Sequence, residues 1–322
     1  MLTADLLRAL PKAELHLHFE GAVPWPLPGR PAWWADDFRF GDFTRFREAA
    51  RACLTSLTSL PAYGAAAAVI FRDLRAQNVR YVEISLDVVR LAEQALRLND
   101  VVAVIKAAAP VGLVVRVIAG FSYHKAERTP GDVIDAVLGS PVVDGVDLHG
   151  DESRESTVRF ADVFRAARDK GLITKAHAGE LVGPPSIVRA LDLLGVRRIE
   201  HGVRAIEDAG LVERLAAEAI TLDLCPWSNV KLGIVPELAT HPVGRLHARG
   251  VPVTISTDDP TVFGRSLTAE LSALTSEARL SVADIARMQA NTFRVAAMPD
   301  EARAAALREI AALLGEIDSG KA

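Results

Sequence analysis

The chain has 322 residues, half of them hydrophobic and 24% charged, with 37 Lys and Arg against 41 Asp and Glu for a net charge of −4. That balance suits a well-buried globular core and offers no basic footprint for nucleic acid or an anionic membrane, so the expected partner is a small molecule. Only Cys53 and Cys225 are present, far apart and without CxxC spacing, which excludes a disulfide framework or a thiolate zinc knuckle and points to a cytoplasmic setting.

Taken in chain order, residues 1–6 lack a basic start and a long apolar run, so no cleavable signal is expected. Residues 13–19, Ala13-Glu14-Leu15-His16-Leu17-His18-Phe19, form the first predicted strand. A period of two would aim His16 and His18 to one side and Leu15, Leu17 and Phe19 to the other, giving a ready pair of metal ligands. Residues 22–43 interleave Pro24, Pro26, Pro28 and Pro31 with Trp25, Trp33, Trp34, Phe38, Phe40 and Phe43. Rigid backbone presenting aromatic area reads as a cover over the site or, equally, as a permanently packed excursion. Residues 65–70 are apolar but soon meet Arg72, Asp73 and Arg75, far short of the ~20 residues that span a bilayer, and are expected to form a core-facing helix.

Further strands are expected at 79–86, 113–119, 143–149, 172–177, 197–200, 219–224 and 251–256, with amphipathic helices between them, among them 155–170, 207–218 and 238–249. Gly171, Gly195 and Gly250 each close a helical pattern just before an apolar run, the place for a left-handed helix terminus. Residues 281–317 read as a helical outer layer, and 319–322 should fray. Strands alternating with helices suit either an open doubly wound sheet or a closed barrel. Polar chemistry recurs after nearly every late strand instead of at one switch point, which favours the barrel. The expected architecture is α/β: a single domain over 1–322, a (β/α)8 TIM barrel with extra helices and a loop-rich cover after the first strand.

The chemistry can be assembled from residue types. A catalytic zinc takes histidine nitrogen and carboxylate oxygen and leaves a position for water, and His16, His18, His177 and Asp258 offer such a set. Glu180, three residues past His177, suits a general acid/base near the metal without being needed as a ligand. His201 suits a group that hydrogen-bonds the attacking hydroxide. Asp258 and Asp259 are adjacent at a strand end and point in different directions, so one can bind metal while the other receives a donor from substrate.

Six segments, 11–21 (PKAELHLHFEG), 147–152 (DLHGDE), 177–180 (HAGE), 198–202 (RIEHG), 225–229 (CPWSN) and 256–260 (STDDP), together resemble the ordered motif set of the adenosine deaminase family of metal-dependent amidohydrolases, from about residue 10 to about residue 295. Residue by residue, the resemblance implies one zinc ion per chain on His16, His18, His177 and Asp258. It implies proton delivery to purine N1 by Glu180, activation of the attacking hydroxide by His201, an acceptor facing N7 at Asp259 and a backbone donor to N3 at Gly150. The reaction it implies is hydrolytic release of ammonia from C6 of a 6-aminopurine.

Departures from the family pattern bear on the substrate. Members specialised for adenosine usually carry Asp where this chain has Glu20, so Glu20 and the short 22–43 segment are expected to read what is attached to N9. The second strand ends Val82-Glu83-Ile84-Ser85-Leu86-Asp87, without the arginine many relatives have. The leading expectation is adenosine or a 5′-modified adenine nucleoside as substrate, with adenine as the alternative. A two-metal amidohydrolase would want a bridging lysine, for which Lys175 is the candidate. A non-catalytic barrel should have lost a ligand or the acid/base glutamate, and this chain has lost neither. The zinc deaminases that use His-x-Glu with Pro-Cys-x-x-Cys are excluded, since no second cysteine lies near Cys225.

Overall fold

Eight parallel strands run side by side in sequence order: β1 (Lys12–His18), β2 (Val79–Asp87), β3 (Val114–Ser122), β4 (Gly145–His149), β5 (Ile173–Ala178), β6 (Arg198–His201), β7 (Thr221–Leu224) and β8 (Val253–Ile255). The computed structural model that reveals this order describes residues 3–26, 29–154 and 156–319. The chain just past β8 returns to β1 at a bridge between Leu17 and Asp258. There the His18 N–H donates to the Asp258 carbonyl at 2.9 Å and the Asp258 N–H to the His16 carbonyl at 3.1 Å. The sheet therefore meets itself, and the architecture is the expected (β/α)8 barrel. The strands are covered on both faces, as in Val79–Asp87, where seven of nine residues are buried, Glu83 and Ser85 among them.

The helices follow expectation in place more than in length. The helix Leu60–Ala76 buries Tyr63, Ala66, Ala67, Ile70, Phe71 and Leu74 along one stripe. No single helix among the described residues is long and apolar enough to cross a membrane. Thr157–Asp169 and Ala209–Ala217 fall within the expected ranges, while the start of the first at residue 155 lies outside the described residues. The expected helix at 238–249 is instead a turn of 3-10 helix, Leu238–Thr240, followed by Val243–Ala248. Pro242 separates them because it cannot donate the amide that a continuous helix needs. Pro299 likewise divides the expected 281–317 segment into Val282–Val295 and Asp300–Asp318. Gly171, Gly195 and Gly250 are left-handed, as their positions require. Residues 320–322, expected to fray, lie outside the described residues.

β1 does not keep a regular alternation. Its register against β2 shifts between Glu14 and Leu17, and the Ser256 hydroxyl from the end of β8 receives the N–H of Leu15 at 3.2 Å and of His16 at 3.1 Å. The simple two-residue period therefore fails at Glu14, while His16 and His18 still reach the same cluster. The irregularity lets Glu14 turn away to the Thr257 hydroxyl and amide.

Inside the barrel, below the strand ends, charges are buried in pairs. Arg198 bridges Glu83 and Asp223 at 2.8 Å each, and Thr254 donates to Asp223 at 2.7 Å. Lys175 pairs with Glu200 at 2.8 Å and donates to the Leu15 carbonyl at 2.6 Å. Removing one partner from such a pair strands a charge out of water at a cost of about 3–5 kcal/mol.

The segment 22–43, described except for residues 27 and 28, holds one 3-10 turn, Ala32–Trp34, and is otherwise irregular. It is fastened from below. Lys231, at the end of the helix Pro226–Lys231, is fully buried, and its ammonium donates to the carbonyls of Trp33 at 2.9 Å, Ala35 at 2.5 Å and Phe38 at 3.4 Å. The same ammonium lies 5.1 Å from the Trp227 ring and 5.8 Å from the Phe38 ring. Three backbone acceptors and two aromatic faces replace the water this cation has lost.

Candidate active site

The ends of β1 and β5 and the chain just past β8 bring four side-chain atoms together. His16 Nε2 lies 3.1 Å and His18 Nε2 3.2 Å from His177 Nε2, and both lie 3.2 Å from Asp258 Oδ1. Neighbouring ligand atoms of a bound zinc stand about 3.3 Å apart, so these four contacts suit a divalent cation of that size; His201 also lies close, its ring nitrogen grouped with the ligand atoms of His16, His177 and Asp258 within 4.8 Å of one another. The set is chemically apt as well, three imidazole nitrogens and one carboxylate oxygen.

Each of these groups is held from behind. His177 Nδ1 lies 3.0 Å from Glu200 Oε2 and 3.5 Å from Asp147 Oδ1, and the Tyr123 hydroxyl donates to the His177 carbonyl at 2.8 Å. A proton on Nδ1 toward those carboxylates leaves the Nε2 lone pair for the cluster. His16 Nδ1 faces the Asp223 carbonyl at 3.3 Å, and the Ser228 hydroxyl donates to Asp258 Oδ2 at 2.7 Å. His201 and Asp258 both adopt left-handed backbone, φ 63° and 64°, a strained conformation for non-glycine residues that clusters at functional sites. Lys175 is engaged by Glu200 and the Leu15 carbonyl, which ties the proposed bridging lysine of a two-metal site into an ion pair.

Glu180 sits just beyond β5 in a turn gathered by a single carboxylate. Glu152 receives the N–H groups of Gly179 at 2.8 Å, Glu180 at 2.7 Å and Val182 at 2.8 Å. Burial, reinforced by the charge of Asp258, pushes the Glu180 carboxyl well above the usual range, which favours its protonated form. Asp259 is pushed up in the same way by burial and by Asp258 and Glu20. Its carboxylate is packed so closely on residue 21 that a Cβ there would lie 1.6 Å from Oδ1, which is why the position is glycine.

Glu20 is turned inward. Its Oε1 accepts the Asp87 N–H at 3.0 Å, and burial, with Asp87 beside it, raises its pKa to about 7. Together His18, Glu20, Gly150, His177, Glu180, His201, Asp258 and Asp259 line one cavity, with His16 behind them. The helix Phe43–Cys53 contributes Phe43, Phe46, Arg47 and Ala50 to its outer wall, with Leu54 and Leu232 alongside. The residues expected as ligands, acid/base groups and substrate contacts thus converge on one place, whereas Lys175 does not line it. Glu152, Glu200, Asp147, Ser228 and Asn229 were not singled out, although all five lie inside the motif segments. Their signal was their residue type at a strand end, and their partners come from other strands.

The protein-family model described as adenosine deaminase matches residues 31–313. The adenine deaminase of Cupriavidus metallidurans is 36% identical over 95% of this chain and 92% of its own. The adenine deaminase of Streptomyces coelicolor is 33% identical over 96% and 97%. Among solved structures, adenine deaminase from Arthrobacter aurescens superposes with a TM-score of 0.87 at 28% identity, covering 95% of this chain and 99% of that one.

Proposed function

The chain belongs to the adenosine deaminase family, and from that premise we propose that it is an adenine deaminase, converting adenine and water to hypoxanthine and ammonia. Purine deamination is common ground between this reading and the nucleoside reading drawn from sequence. What moves the substrate to the free base is the full-length likeness to proteins named adenine deaminase. The position of Glu20 agrees with it. One carboxylate oxygen is committed to the Asp87 amide, which leaves it less free to take a ribose hydroxyl.

His16, His18, His177 and Asp258 would hold one zinc ion, which when bound lowers the pKa of a coordinated water toward neutrality. The protein's own groups do the rest. Glu180 hands its proton to N1 as oxygen adds to C6, so that charge does not build on the ring. His201 hydrogen-bonds the attacking oxygen. The Gly150 amide, presented by a left-handed turn of φ 87°, donates to N3, and Asp259 holds the N7 side. Collapse of the tetrahedral carbon forms the C6=O bond and breaks the C6–N bond, with the proton of the added hydroxyl passing to the departing amine, so that the 6-oxopurine and ammonia are released.

Ammonia release from adenine, adenosine and adenine nucleotides tests the reading. Adenine should have the highest kcat/KM, by about 10²-fold or more over adenosine, the scale on which unpaired buried polar groups reject a misfit substrate. Preference for a nucleoside would overturn it.

A further inference from the structure

His241 lies in the segment between the Pro226–Lys231 helix and β8, and nothing in the reaction described above uses it. It is 6% exposed, between the 3-10 turn Leu238–Thr240 and the helix Val243–Ala248. One of its hydrogen bonds has an unambiguous direction. The Val243 backbone N–H can only donate, and it meets His241 Nδ1 at 3.1 Å. Nδ1 must therefore be the bare nitrogen of a neutral ring, and the single ring proton is on Nε2. Burial, with Arg245 nearby, holds the imidazole pKa down to about 3, which keeps the ring neutral.

That proton determines the next group. His241 Nε2 lies 3.2 Å from Asn229 Oδ1, and as a donor it requires the amide oxygen there. The Asn229 NH2 is consequently turned to the other side. There it lies 3.3 Å from Glu180 Oε1 and 3.3 Å from His201 Nδ1, one hydrogen for each acceptor. Asn229 is fully buried and His201 1% exposed, so no bulk water competes for these positions. A proton on His201 Nδ1 would face an amide hydrogen directly. It is the bare nitrogen, and the His201 proton sits on Nε2, on the side of Asp258.

We infer that His241 is a positioning residue: acting through Asn229, it fixes the His201 proton on Nε2, so that His201 meets the attacking oxygen as a hydrogen-bond donor. The polarity of one backbone amide is thereby passed across two buried side chains into the site. The same Asn229 amide donates to Glu180, so both groups proposed to act on the reacting carbon and ring nitrogen share one orienting partner. The rival arrangement would place the proton on Nδ1, shared with Glu180 Oε1 at 3.4 Å. It requires Asn229 to flip and leaves the His241 proton facing an NH2.

The inference rests on the proposed site and not on which purine is deaminated. Proton–nitrogen correlation spectra of the zinc-loaded enzyme with labelled histidine, assigned by His201→Ala, read the tautomer directly. The expected result is His201 protonated at Nε2 and bare at Nδ1 in wild type, and a mixture or reversal in His241→Ala. Kinetically, His241→Ala should lower kcat about 10- to 100-fold with KM little changed, the usual range for a partner that orients an active-site group. His241→Gln, whose amide nitrogen can donate from nearly the same place, should recover most of the loss. A His201 proton on Nδ1 in wild type overturns the inference. So does a His241→Ala enzyme with an unchanged tautomer and kcat. If His241→Ala does not fold, the wild-type spectrum still decides. An enzyme inert toward adenine but showing the Nε2 proton would refute the substrate reading and leave this one standing.

Discussion

The strand ends and the cover are held by opposite strategies. At the strand ends reactive side chains are held by partners from other elements: Glu200 for His177, Ser228 for Asp258, Glu152 for the turn carrying Glu180. The cover segment 22–43, of which only Phe43 among the described residues lines the site cavity, is largely irregular backbone fastened by the Lys231 ammonium and by ring contacts such as Phe40 with Phe46 and Phe263. The difference teaches where tolerance should lie. Errors at the strand ends should displace reacting atoms, whereas errors in the 22–43 segment should reach the site only through its edge at Phe43.

The sharpest break of that contrast is metal removal. Dialysis against a chelator should abolish deamination, and re-addition should restore it in proportion to the first equivalent of zinc, measured by metal content against ammonia release. Activity that tracks a second equivalent would return Lys175 to consideration as a metal-bridging group.

Next in size, Glu180→Gln should retain metal and adenine affinity while kcat falls about 10²–10⁴-fold, the contribution of a positioned proton donor. Because the carboxyl must be protonated to act, and burial and Asp258 raise its pKa, wild-type activity should hold at lower pH and decline as pH rises through that raised value. The substitution should remove this alkaline limb from whatever activity remains. A metal-replete variant with near wild-type turnover would show that Glu180 only fills space.

A smaller effect is expected from the cover. Lys231→Met keeps most of the side-chain length and its packing on Trp227 but leaves three carbonyls without their donor. KM for adenine should rise about tenfold with kcat changed less than about threefold, since a loosened cover weakens ground and transition states alike. A selective loss of kcat would mean that Lys231 supports the reacting groups after all.

Legibility in the sequence divides along the same line. The eight strands could be read because buried parallel strands are short apolar runs between helical patterns, and the reactive groups because imidazoles and carboxylates recur at the ends of those runs. The break at Pro242 was also readable, since proline lacks the amide that continues a helix; periodicity alone carried the pattern past it. The register shift in β1 was hidden, because it is made by Ser256, some 240 residues away in sequence. The roles of Glu152, Glu200 and Asn229 were hidden for the same reason. Each is an ordinary polar residue until a distant strand supplies its partner. Glu20 was legible as a departure from the family pattern, while its hydrogen bond to the Asp87 amide was hidden because that partner lies on a distant strand.

The most direct test of the division between a reaction set by the strand ends and a substrate set by the cover side is the ratio of kcat/KM for adenine to that for adenosine, measured in wild type, Glu20→Asp and Glu180→Gln. Glu180→Gln should depress both substrates together and leave the ratio where it was, while Glu20→Asp, freeing space and the Asp87 amide, should lower the ratio by about tenfold or more. A ratio favouring adenosine in wild type, or one unmoved by Glu20→Asp, would contradict the account.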